Sequence, residues 1–201
     1  MITCDRNQPA HYLHVETGTR YPSVSQVLDV LYPDRFRWVN ADVLKTAQER
    51  GNRRHRLFGV LVLWHAGLAD KPEIDLRDEL VMGGLMDWIV RNNVRPLRVE
   101  EPAINLRDGY AGTPDCQVLY GPKREILLVD LKSGVHEDVH AIQLQAYLRL
   151  PGYLNSQRLI DLYIDDQGQV REREVTPYVH NWAFFLNGLG VLKGRIARRI
   201  T

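Results

Sequence analysis

A chain of 201 residues, 44% apolar and 25% charged, has an ordinary globular composition and enough length for one domain, 1–201, with a sizeable core. A formal net charge of +1 excludes a protein that binds polyanions over its whole surface, so any such surface must be local. The two cysteines, Cys4 and Cys116, exclude a disulfide framework and a four-cysteine iron–sulfur cluster and point to a reducing compartment; no apolar run reaches membrane-spanning length and no signal-peptide core opens the chain.

The first predicted element is a strand over His11 to Glu16, turning at Thr17-Gly18-Thr19. Ser23 is placed to cap a helix in which Val24, Val27, Leu28 and Leu31 recur at helical spacing. A long helix is expected from Ala41 to Ala66. Its middle, Arg50-Gly51-Asn52-Arg53-Arg54-His55-Arg56, is too basic for a core and reads as a solvated face. Gly51 inside this helix costs about 1 kcal/mol relative to alanine, which implies a close approach at that point. Arg50 and Arg54 share a face by their i,i+4 spacing. A further helix is expected over Leu76 to Asn92, behind a cap at Asp75. Leu97 to Leu106 reads as one strand, with Glu100 and Glu101 on opposite faces and Pro102 favouring an edge.

Gly109 to Lys132 reads as two strands joined at Gly121-Pro122. The second carries Ile126-Leu127-Leu128-Val129, an unbroken apolar run that suits a strand buried on both faces. The polarity then breaks: Asp130 and Lys132 fall on one face and Leu131 on the other. Asp115, from the preceding strand, can approach Asp130. Two converging carboxylates repel unless a cation or proton relieves them, and hard oxygen donors suit Mg2+ or Mn2+. A neighbouring lysine can then orient a water or stabilise charge on a phosphate. After Ser133-Gly134 a helix is expected from Asp138 to Leu150, with His140, Gln143 and Tyr147 on one face near this strand end. Two strands, Arg158 to Ile164 and Val170 to Val175, and a last helix from His180 to Arg199 complete the chain. The class is α/β, a central mixed sheet flanked by helices.

Taken in order, Pro22-Ser23-Val24, Arg50-Gly51 with His55, Glu101, Gly112 with Asp115, Asp130-Leu131-Lys132, and Gln143 with Tyr147 resemble the PD-(D/E)xK nuclease superfamily. The branch is the RecB-like and phage-type exonucleases, and the resemblance spans about residues 20 to 150. It implies a restriction-endonuclease-like core and a DNA exonuclease hydrolysing phosphodiester bonds with one or two Mg2+ or Mn2+ ions. Asp115, Asp130, His55, Glu101 and the Leu131 carbonyl would be metal ligands, and Asp115, Asp130, Lys132 and Gln143 catalytic. Arg50, Arg53, Arg54 and Tyr147 would contact nucleic acid. It also implies a cytoplasmic setting, in a bacterium or a phage-infected host, and a role in recombination or repair. An annealing or recombination protein as partner and a homo-oligomer are part of the same expectation. An endonuclease on this scaffold, a non-cutting nucleic-acid binder and an unrelated α/β domain are the alternatives.

Overall fold

The computed structural model describes every residue except Arg6, Pro9, Val135, His136 and Thr201, and every side chain of the described residues except those of Arg199 and Ile200. The chain opens with a three-stranded antiparallel sheet: β1 (Ile2–Cys4), β2 (Tyr12–His14) and β3 (Thr19–Tyr21). The expected strand at His11 to Glu16 is the middle one. Ser23 then caps α1 (Val24–Leu31) with a reciprocal pair of bonds. Its Oγ accepts from the Gln26 N–H at 3.1 Å, and the Gln26 side chain accepts from the Ser23 N–H at 2.9 Å. Asn40 caps α2 (Ala41–His65) through Asp42 N–H. The helix expected from Leu76 starts later. Asp75 caps a single 3-10 turn, Leu76–Asp78, and α3 (Glu79–Arg91) follows it.

Next come β4 (Arg95–Val99), β5 (Ala103–Asn105), β6 (Tyr110–Gly112), β7 (Cys116–Tyr120) and β8 (Glu125–Lys132). After them α4 (Asp138–Leu148) crosses to β9 (Arg158–Ile164), β10 (Val170–Glu174) pairs back on β9, and α5 (Val179–Ile200) ends the chain. The central sheet runs β10-β9-β8-β7-β4, parallel between β8 and β9 and antiparallel elsewhere. It is mixed, as the α/β reading requires. The long connection through α4 is what a parallel neighbour demands.

Helices cover both faces. Leu127, Val129 and Leu131 of β8 pack with Phe58 and Leu61 of α2 and Leu85 and Ile89 of α3. Leu128 and Leu159 pack on the other side with α1, α4 and α5. Burial on both faces is the physical reason for the apolar run in β8. The single strand expected over Leu97 to Leu106 is a correction: it divides into β4, in the central sheet, and β5, which pairs only with β6. The break lies at Glu100-Glu101-Pro102. Glu100 sits at φ +48°, a left-handed conformation that cannot continue a strand, and Pro102 has no N–H for a ladder.

Candidate active site

The register of the central sheet gathers the polar residues. Cys116 is the partner of Val129, so one further residue sets Asp115 across from Asp130. On the other side of β8, Asp130 is in register with Asp161 and Lys132 with Tyr163. Three aspartates thus form a row across β7, β8 and β9, on the face that α4 covers. Asp115, Asp130 and Asp161 are all buried. From the opposite layer α2 passes the end of β8. An added Cβ at Gly51 would stand 3.5 Å from Ser133 Oγ, and one turn on, His55 reaches the row.

Each buried carboxylate finds a different partner. Asp115 Oδ2 accepts from His55 Nδ1 at 2.8 Å and from the Leu131 N–H at 2.7 Å. Burial pushes the Asp115 carboxyl up, but His55 and that N–H outweigh it and hold it below the usual carboxylate value. Burial opposes protonation of His55, yet the Asp115 charge wins and raises the imidazole. In the neutral ring, with Nδ1–H given to the carboxylate, Nε2 is the nitrogen that can act as a ligand. Asp130 forms an ion pair with Lys132; burial raises its carboxyl, with Lys132 opposing. Lys132 Nζ also donates to Gln143 Oε1 at 2.7 Å, and Gln143 Nε2 donates to Tyr147 Oη at 3.2 Å. Asp161 has no hydrogen-bond partner on either oxygen, and burial pushes its carboxyl up to about 7.

Several expected residues stand elsewhere. Glu101 turns outward: its carboxylate takes Arg98 at 2.5 Å, and Arg98 lies over the Tyr153 ring. Glu100 takes the place facing the site. Its N–H donates to the Asp115 carbonyl at 2.8 Å, and burial together with the Asp115 charge raises its carboxyl. Val99 pairs with Cys116 in the β4–β7 register, so the next residue, Glu100, falls across from Asp115, with Glu101 one residue beyond.

The arginines of α2 are a second correction. Arg54 is buried, donating to Asp78 Oδ1 at 3.4 Å and Asp166 Oδ1 at 2.6 Å. Arg53 also pairs with Asp78, and Arg50 reaches Asp166 at 3.4 Å. These groups pin α2 to the 3-10 turn and to the β9–β10 turn. Arg56 is the exposed cation on this stretch, and its charge reaches Glu100. Tyr147 is buried rather than open for stacking. Its ring lies so close to β6 that an added Cβ at Gly112 would come within 2.7 Å of it. Its hydroxyl supports Gln143, which in turn supports Lys132.

Sequence reasoning passed over Asp161, although an aspartate inside Arg158-Leu-Ile-Asp-Leu-Tyr-Ile164 is a charge in a core strand. It named Arg56 only as part of the basic run.

Among the described residues no three His, Cys, Asp or Glu side chains stand close enough together to hold an ion as arranged. The donor chemistry nevertheless fits one. Asp115 and Asp130 are buried and adjacent, Glu100 faces Asp115, and His55 offers a nitrogen. A hard divalent cation suits such a set. Lys132 pairs with Asp130 and His55 with Asp115 beside this donor set.

With the layers, the row of aspartates and Lys132 described, the molecule falls into the class of mixed-sheet α/β proteins with a polar site at the end of the central strands. Of known structures, the fold is similar to an alkaline exonuclease, LHK-Exo, from Laribacter hongkongensis: TM-score 0.50 at 15% identity, covering 90% of this chain and 89% of that one. The structure of LHK-Exo in complex with dAMP gives a TM-score of 0.51 at 14% identity over the same shares. No protein-family model and no curated protein matches the sequence.

Proposed function

We propose that this protein is a divalent-metal-dependent deoxyribonuclease, acting as an exonuclease. The observation that carries the reading is the convergence of Asp115 and Asp130 beside Lys132, with His55 and Glu100 at the same strand end. The likeness of fold to an alkaline exonuclease supports it. Asp115 and Asp130, with His55 and Glu100, would hold Mg2+ or Mn2+. The ion, when bound, lowers the pKa of a water and offsets charge on the phosphate.

The chain's own groups do the rest. Lys132, held by Gln143, donates to a non-bridging phosphate oxygen and stabilises the charge that gathers there as water attacks phosphorus in line. The water loses a proton to solvent as its oxygen bonds phosphorus, the P–O3′ bond breaks, the 3′-oxygen takes a proton from solvent, and a 5′-phosphate remains on the product. Arg56, exposed on α2 beside His55, takes a backbone phosphate.

Digestion of linear duplex, linear single-stranded and closed circular DNA, each with Mg2+, Mn2+ or EDTA, tests this. Metal-dependent loss of linear DNA with circles intact is expected. Cutting of closed circles would replace the exonuclease with an endonuclease on the same site. No hydrolysis with any metal would reject the enzyme.

A further inference from the structure

Asp161 lies in the middle of β9, among Leu159, Ile160, Leu162 and Ile164 of the core. It is 0% exposed, and neither carboxylate oxygen has a hydrogen bond. A buried carboxylate without partners is costly, and apolar side chains would pack this strand better. Its position suggests what the cost serves. Asp161 is the in-register neighbour of Asp130, on the side away from Asp115. That makes it the diagonal neighbour of Lys132 across two parallel strands. The cations whose charge reaches it are Lys132, with the larger effect, and Arg173, its in-register partner on β10, which also bonds Tyr163.

Asp130, meanwhile, has two demands on it. It is the ion-pair partner of Lys132, and it is also a carboxylate proposed to hold a divalent cation. An ammonium pressed against the oxygens that bind the cation would compete with it and repel it. We propose that Asp161 is a positioning residue that takes Lys132 over from Asp130 when Asp130 engages a divalent cation. Gln143 Oε1, already 2.7 Å from Lys132 Nζ, stays with the ammonium through the exchange. Lys132 thus remains charged and in place without blocking the metal. The inference rests on the metal-dependent reading above and adds to it the group that frees Asp130.

A double-mutant cycle read by cation binding, without DNA, tests it. Calorimetric titration with Mn2+ is done on the unaltered chain, Asp161→Asn, Lys132→Ala and the double variant, with folding checked by circular dichroism. Asp161→Asn is expected to weaken Mn2+ binding about tenfold or more when Lys132 is present, and less than about threefold when Lys132 is absent. Equal weakening in both backgrounds would mean that Asp161 acts only as a nearby negative charge or a packing residue, and would overturn the proposal. If the unaltered chain binds no Mn2+, the metal-dependent reading falls and this inference with it. If it binds and the cycle shows no coupling, this inference alone falls. Should Asp161→Asn not fold, a crystal structure of the unaltered chain with Ca2+ decides. Lys132 Nζ within about 4 Å of the Asp161 carboxylate supports the exchange; Lys132 still on Asp130 overturns it.

Discussion

Lys132 is held from two sides, by the Asp130 carboxylate and by the Gln143 amide, and behind the amide stands the buried Tyr147 hydroxyl. An ammonium on a four-carbon stem is flexible, so the amide matters chiefly by fixing where the charge sits. Gln143→Ala is therefore expected to lower kcat for DNA hydrolysis about ten- to a hundredfold with little change in KM, as loss of an orienting neighbour does elsewhere. Steady-state kinetics on linear duplex checks this, and a rise in KM alone would assign Gln143 to substrate binding instead. At this scale the sequence was informative where alternation holds. Asp130 and Lys132 share a face because β8 is an unbroken strand, and Asp115 meets Asp130 because the hairpin register is regular. The structure departs from it at one glutamate. The choice of Glu101 over Glu100 followed the fit of Glu101-Pro102-Ala103 to the resembled family, whereas the register of β4 on β7 sets Glu100 opposite Asp115. Pro102 marked a break in the run but not which glutamate would face the aspartates.

The middle of α2 shows the same limit for an element. Four arginines in seven residues look like a wet, basic face, yet the helix turns Arg54 into the protein and pairs it with Asp78 and Asp166, residues far off in sequence. Charge alone does not reveal partners supplied by the fold. Two substitutions separate the roles. Arg54→Ala removes one of the two arginines on the buried Asp78 carboxylate, which keeps Arg53, and is expected to cost about 1.5–3 kcal/mol in urea unfolding. Arg56→Ala is expected to leave stability unchanged, weaken DNA binding, and reduce its salt dependence by about one phosphate contact; the opposite pattern would exchange the two assignments.

The Asp78 pairing also has a pH signature. The hydrogen bond from Arg53 outweighs burial and holds the Asp78 carboxyl below its ordinary value. Its stabilising contribution is fully present above the unfolded value near 4, about pH 4 and higher, and is lost as pH falls through the lower folded value. The stability gap between the unaltered chain and Asp78→Asn should therefore be constant from about pH 5 to 8 and close below about pH 4. Denaturant titrations across that range measure it, and a gap that persists in acid would contradict the assignment.

For the whole molecule, a helix-covered mixed sheet was legible because its signals are strong and local. They are the apolar run of β8, the cap at Ser23 and the turn at Gly121-Pro122. The division between sheets was not, since β5 leaves the central sheet at Glu100-Glu101-Pro102, where the proline marks an edge but not a second sheet. The same fold is shared with an alkaline exonuclease at 15% identity, which is what burial patterns allow when many apolar side chains can fill the same layers. The row of buried charge does not follow from packing, and it is where the functional claim stands. The direct test is release of acid-soluble nucleotides from linear duplex DNA by the purified chain and by Lys132→Ala, in Mg2+. Hydrolysis by the unaltered chain, lower by about two to three orders of magnitude in the variant at the same DNA affinity and with its fold confirmed by circular dichroism, is the expected result. A variant that digests DNA as fast as the unaltered chain would contradict the account.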